Sequence, residues 1–419
     1  MVVLAGIAVL LGLLGGPEKA VVPPAVSPSS GPASTAGGDK ADARGDAAAA
    51  LLGRLVAALR DRSAAELRGL AAPGDSAARA ELADLDANAA ALDITGLSMR
   101  YVDEEQGGVT DAQERRYGDR AWVGDVQVAW RLGGFDASSS RLEVPVTFVK
   151  TPAGARFVSA RTAAGTGEAT PLWLLERVSV RRSGPALVVG SGHTPDLSRF
   201  AGLADQAVVD VHKVLPSWPG RLVVEVPGDE AELGRVLGSA SSQYGGIAAV
   251  TTTVDGSDSP TAPVHIFVNP RVFDPLGQRG SQIVMSHEAT HVATGAAVST
   301  MPTWLLEGFA DFVALDHVDL PVSVTASQVL ARVRKDGPPA RLPGKAEFDP
   351  QNAALGSSYE AAWLACRLLG ERYGEARLIR FYREADRDGS TEAAFRDVLG
   401  TDQSAFTRDW KGYLRRLAG

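Results

Sequence analysis

Two histidines stand four residues apart with a glutamate beside the first, in the run Ser286-His287-Glu288-Ala289-Thr290-His291. Residues four apart on a helix lie one turn apart on the same face, so both imidazoles can reach a single metal ion. Glu288 precedes His291 by three and points to that side as well, where it can hydrogen-bond a water on the metal without being a ligand. Ile283, Val284 and Val292 supply the apolar period that makes the segment helical. The chain has only six histidines, which makes this spacing around a central Glu hard to reach by chance. The bland alternative is a pair of histidines on a solvated helix face.

A second run, Trp304-Leu305-Leu306-Glu307-Gly308-Phe309-Ala310-Asp311, follows Pro302, a residue suited to the first turn of a helix. Catalytic zinc takes three protein ligands and keeps one position open, and a glutamate from a neighbouring helix would complete two histidines and one carboxylate. Glu307 is that candidate. Asp311 lies four residues on, on the same face, and can accept the free N–H of a ligating imidazole. Both acids could instead sit on the surface, but Trp304, Leu305, Leu306 and Phe309 argue against a wholly exposed helix.

HEATH followed by WLLEGFAD resembles the gluzincin superfamily of zinc metallopeptidases, close to the aminopeptidase N branch and to the actinobacterial peptidases of the same clan. The resemblance is specific over residues 281 to 315 and extends over about 200 to 419. It implies zinc as cofactor, His287, His291 and Glu307 as ligands, and Glu288 as general base. Thermolysin-like members place an aspartate four residues after the third ligand, as Asp311 stands here. The connection from His291 to Glu307 is a few residues shorter than in aminopeptidase N or thermolysin, which implies a tighter link between the two helices. No GxMEN-like element that would grip a free N-terminus is present, which favours an endopeptidase. The implied substrate is a peptide or protein. An exported binding module with a structural or vestigial metal is the alternative; a glutamate in the base position speaks against it, since a structural site needs no base. A zinc hydrolase of another amide is not separated from a peptidase by sequence.

Hydrolysis by such a site needs a donor to the tetrahedral oxyanion besides the metal. Tyr359 is the first candidate, because Ser357 and Glu360 form a capping-box pattern that starts a helix there; His317 is the rival, and an ordinary packing tyrosine is as good an account. The strand expected over Ile247 to Val254 could serve as the sheet edge that pairs with an extended substrate, or be a plain internal strand. His193, His212 and His265 have no partner spacing and are expected to be structural or on the surface. Cys366, the one cysteine, falls among Trp363, Leu364, Ala365, Leu368 and Leu369 at helical spacing, as a buried inert thiol would.

These motifs need a scaffold, and 419 residues exceed what one core usually organises. With 45% hydrophobic and 22% charged residues the chain has the balance of a soluble globular protein. A net charge of -8 with scattered arginines argues against the concentrated basic face that nucleic acid demands, so no nucleic-acid partner is expected. Val2 to Leu14 is apolar or glycine throughout, short of the roughly 20 residues of a bilayer span, and fits a signal-peptide core or the remnant of an anchor. The expectation is an extracytoplasmic protein, anchored or released, with N-terminal membrane association.

The chain divides into four regions: a hydrophobic signal or anchor over 1–16; a flexible linker over 17–45, rich in Pro, Ser, Gly and Ala; an α+β unit over 46–192; and a peptidase unit over 193–419. In the third, helices are expected from Asp46 to about Leu92, then strands at Ile94 to Val102, Ala121 to Leu132, Arg141 to Val149, Arg156 to Ala160 and Leu172 to Val189. Helices followed by an antiparallel meander resemble, in pattern only, the cone-shaped fold shared by nuclear transport factor two and ketosteroid isomerase. The fourth opens with a helix over Leu197 to Leu215, places strands at Arg221 to Val226, Ile247 to Val254 and Val264 to Val268, and continues as helices at about 279–295, 302–315, 326–334, 358–373, 375–386, 391–399 and 403–417. A small sheet followed by a helical bundle suits a thermolysin-like layout; the fold class is α+β.

Overall fold

The computed structural model describes residues 4–7, 38–105, 108–161, 167–192, 194, 196–240, 245–316 and 318–419. In chain order the elements are β1 (Leu4–Ile7), α1 (Gly38–Arg60), α2 (Ala64–Leu70), α3 (Ser76–Ala91), β2 (Ile94–Glu105), α4 (Asp111–Tyr117), β3 (Ala121–Leu132), β4 (Ser140–Thr151), β5 (Gly154–Ser159), α5 (Leu172–Leu175), β6 (Val178–Arg182) and β7 (Ala186–Ser191). Then come α6 (Leu197–Val214), β8 (Leu222–Val226), α7 (Glu230–Leu237), β9 (Ile247–Thr253), β10 (Val264–Val268), α8 (Pro270–Phe273), α9 (Gly277–Thr294) and α10 (Thr303–Leu315). The chain ends on α11 (Val322–Thr325), α12 (Ser327–Asp336), α13 (Leu355–Tyr373), α14 (Glu375–Asp388), α15 (Thr391–Leu399) and α16 (Gln403–Ala418).

Helix and sheet are mixed, as the α+β expectation has it. Strands β2 to β5 form a four-stranded antiparallel meander. The second sheet has six strands in the order β1-β9-β10-β8-β7-β6, parallel where β8 meets β7 and β10 and antiparallel elsewhere. All five residues of β8 are buried, the mark of a strand covered on both faces. Alternation sorts the side chains. Ala186, Val188, Leu222, Val224, Val226, Ile266 and Val268 join the core around α6, α9 and α10. Leu187, Val189, Val223, Val250 and Phe267 face the opposite way, into a core shared with α1, α3 and the meander. The first unit therefore backs the sheet that carries the helices of the second.

Several expectations change. Strands 178–191, expected within the first unit, hydrogen-bond into the six-stranded sheet, so the sheets divide between Ser159 and Val178 and not at 192. Leu172–Leu175 forms a buried helical turn where a strand was expected. Helix α1 begins at Gly38, inside the segment read as linker to 45. Arg44 explains part of this: its guanidinium lies 2.5 Å from Glu104, donates to the Asp119 carbonyl and stacks on Trp122, so this Gly- and Ala-rich stretch is held by contacts outside its own sequence. Linker residues 17–37, together with His193 and His317, lie outside the described residues. Among the described residues no helix is long and apolar enough to cross a membrane.

The two units also meet through a buried ion cluster. His265 on β10 is bound at Nδ1 by Glu225 of β8 (2.7 Å) and at Nε2 by Asp136 of the β3–β4 turn (3.1 Å). Burial alone would discharge the imidazole; Asp136 first, then Glu225, outweigh it and hold its pKa at about 9. Sequence spacing could not show this triad, because its members are 40 and 129 residues apart.

Candidate metal centre

Helix α9 is held against α6 by its polar residues: Ser286 Oγ donates to Asp210 Oδ2 at 2.9 Å, and Gln282 Nε2 donates to Ser286 Oγ and to the Leu203 carbonyl. The helix stops at Gly295, whose φ of 67° is the left-handed conformation that a C-terminal cap requires. Helix α10 starts at Thr303, with Pro302 just before it as the cap residue and not inside the first turn. Its helix partner is α13, and the contact is close: a Cβ at Gly308 would collide with the Ala362 carbonyl oxygen and sit 3.0 Å from Cys366 Sγ. Only glycine lets the two backbones approach so far, and Glu307, its neighbour, is placed by that approach. Cys366 is buried, and burial pushes its thiol pKa up, as an inert packing residue requires.

These helices bring His287, His291 and Glu307 together as a group able to hold a metal ion. His287 Nε2 and His291 Nε2 are 3.0 Å apart, and Glu307 Oε2 is 3.2 Å from the first and 3.3 Å from the second. The three atoms make a nearly equilateral triangle. Zinc with tetrahedral ligands at about 2.0–2.1 Å sets neighbouring ligand atoms about 3.3 Å apart, so this donor set fits one face of its shell. His287 Nδ1 is 2.7 Å from Asp311 Oδ1, which fixes the imidazole tautomer with Nε2 turned toward the triangle. Burial opposes a proton on His287, but Asp311 and Glu307 overcome it and raise its pKa well above the ordinary value. Burial would raise Glu307, but the two histidines pull its pKa down to about 2. Both shifts have one cause, the closeness of carboxylates to imidazoles in a buried setting, and a divalent cation would supply the same positive charge in competition with protons.

Glu288 stands apart from the triangle. Its Oε2 accepts a hydrogen bond from Thr251 Oγ1 at 2.6 Å, whereas Oε1 is buried with no protein partner. Burial raises its pKa against the opposing pull of His287 and His291. Tyr359 hydrogen-bonds Glu307, and its ring centroid is 6.2 Å from that of His287; burial and the surrounding carboxylates push its phenol well above the usual range. The helix that carries it begins at Leu355, earlier than the capping-box pattern implied, with no side-chain cap. Ser357 is not the cap, and Glu360 is turned to another helix, accepting from the Val329 amide of α12 at 2.7 Å.

Sequence reasoning missed Thr251 and Asp210, which orient Glu288 and Ser286. Nothing in a strand of Val, Ala and Thr marks one threonine as the partner of a helix residue 37 positions on. Every residue of the centre is closed to solvent: Glu288, His291 and Asp311 are 0% exposed, and His287, Glu307 and Tyr359 are 2% exposed.

No family model and no curated relative matches the chain. Solved structures that do match include an M1 zinc metallopeptidase from Deinococcus radiodurans, at 13% identity and a TM-score of 0.35, covering 76% of this chain and 60% of that one. A point variant of that peptidase matches at 12% identity and a TM-score of 0.33, covering 76% of this chain and 61% of the other. The chain thus spans less than two thirds of the length of these structures.

Proposed function

We propose that this chain is a zinc-dependent peptidase of the gluzincin type that cleaves internal peptide bonds, acting outside the cytoplasm. The observation that carries the proposal is the triangle of His287 Nε2, His291 Nε2 and Glu307 Oε2, with Glu288 beside it and free at Oε1. A bound zinc ion there would polarise the scissile carbonyl and make water acidic enough to react at neutral pH.

The chain's own groups supply the rest. Thr251 holds Glu288 Oε2, so Oε1 is the oxygen left to take the proton from the attacking water. A carboxyl whose pKa burial has raised retains that proton until the amide nitrogen leaves and accepts it. Asp311 keeps His287 Nε2 directed inward throughout. Tyr359 keeps its proton far above neutral pH and is the donor available to the oxyanion as charge develops there. The nuclear transport factor two-like character of the first unit belongs to the same proposal, as a support behind the catalytic sheet.

Metal analysis of the purified protein, combined with cleavage of a peptide library with and without chelator, tests the proposal. About one zinc per chain and cleavage that chelator abolishes and zinc restores is the expected result. Metal-free protein that takes up no zinc, or cleavage indifferent to chelator, would overturn it.

A further inference from the structure

Thr251, the residue that holds Glu288, lies within β9, and one flank of β9 is paired with β10. Its other flank is the one that an incoming extended chain could use, because an edge strand offers a row of unpaired N–H and C=O groups. In this structure that flank is filled from within. Strand β1 runs antiparallel along it in the register Leu4↔Thr251, Ala5↔Val250, Gly6↔Ala249 and Ile7↔Ile247. Leu4 is therefore directly opposite the residue that touches the proposed base. Strand β1 also packs against α9, the helix that carries His287, Glu288 and His291. It comes from the apolar run Val2 to Leu14, which has no charged residue to oppose burial. The closed centre agrees with this arrangement, since no peptide can reach groups that are 0–2% exposed.

We infer that the segment Leu4–Ile7 is an intramolecular occupant of the substrate edge, a competitor that a peptide must displace from β9, so that cleavage by the full chain is slowed and not abolished. The inference rests on the proposed function only in calling that edge the substrate's; the pairing is independent of it. The same residues cannot lie on β9 and in a membrane or signal-processing site at once, so withdrawing them is the step that opens the edge. As part of the same chain they compete at an effective concentration that a free peptide must exceed.

The test uses the full chain and a full-chain variant with Ala5→Pro and Gly6→Pro. Successive N–H groups alternate across a strand, so one of the two prolines removes a donor to β9. Both proteins are stripped of metal, and a fluorescein-labelled peptide VVLAGIAV with a charged tail is titrated into each and followed by anisotropy. The proline variant should bind the peptide at least tenfold more tightly than the parent. Amides of 247–251 should exchange with deuterium at least tenfold faster in the variant without peptide, while its melting transition is retained. Equal binding, no binding to either protein, or unchanged exchange overturns the inference. If both zinc-loaded proteins fail to cleave any peptide while the binding contrast stands, the peptidase proposal fails and the occupied edge does not.

Discussion

Asp311 lies 2.7 Å from His287 Nδ1, one helix away, and so determines which nitrogen of that imidazole is offered to a metal. Replacing Asp311 by Asn keeps the size but lets the amide present either an acceptor or a donor. Zinc affinity should fall about 10- to 100-fold, as it does when such outer partners of a ligating histidine are lost. Competition with a fluorescent chelator measures this, and unchanged affinity would mean that Asp311 merely fills space.

Tyr359 makes a second separable claim. In Tyr359→Phe the ring stays against Phe348, 4.9 Å away, and only the hydroxyl is lost. If that hydroxyl serves the oxyanion, kcat should drop about 100- to 1,000-fold with zinc retained. If it serves only to hold Glu307, zinc affinity should drop and restored zinc should return kcat.

Gly308→Ala probes the packing that places Glu307. The added methyl runs into the Ala362 carbonyl, and no rotamer change relieves a collision with backbone. Helices α10 and α13 must part, at a cost of about 1–3 kcal/mol, the range of overpacked cores. Chemical denaturation should show that loss; an unchanged midpoint would mean that the helices are not as close as described.

The His265 cluster predicts how stability depends on pH. Its folded pKa, about 9, lies above the ordinary 6.5, so its contribution is fully present below about pH 6.5 and is lost as pH rises through 9. Such a shift corresponds to about 3 kcal/mol at most. Glu360, buried and raised to about 8, also titrates in this range, so the comparison must be with His265→Gln, in which Glu360 is unchanged. Urea midpoints from pH 6 to 10 should fall more steeply for the parent than for the variant. Parallel curves would show that the buried imidazole carries no extra charge.

Much of this was legible in the sequence where the controlling interactions are local. Helices α9, α10 and α12 to α16 fall within three residues of the ranges expected from the sequence, because 3.6-residue spacing acts within a single element, as does a left-handed glycine cap such as Gly295, Gly389 or Gly400. The grouping of His287, His291 and Glu307 was legible for the same reason, the two histidines being one turn apart. Long-range pairing was not. Strand β6 alternates and β7 is a short run buried throughout, patterns that either sheet could take, and only the pairing of β7 with β8, across α6, decides which sheet takes them. Thr251, Asp210 and His265 gain their roles from elements distant in sequence, and Arg44, in the stretch read as linker, makes its contacts with Glu104, Asp119 and Trp122.

The most direct test separates the proposed base from the metal ligands. Glu288→Gln keeps the hydrogen bond to Thr251 and leaves the triangle of His287, His291 and Glu307 intact, so the variant should fold and retain zinc at the parent's level. Its cleavage of a peptide library, measured at matched zinc content, should fall by about 100- to 10,000-fold, the range for loss of a general base. Full cleavage by zinc-loaded Glu288→Gln would contradict the proposed mechanism, since hydrolysis would then be taking place without the carboxylate whose Oε1 is left unpartnered next to the two histidines.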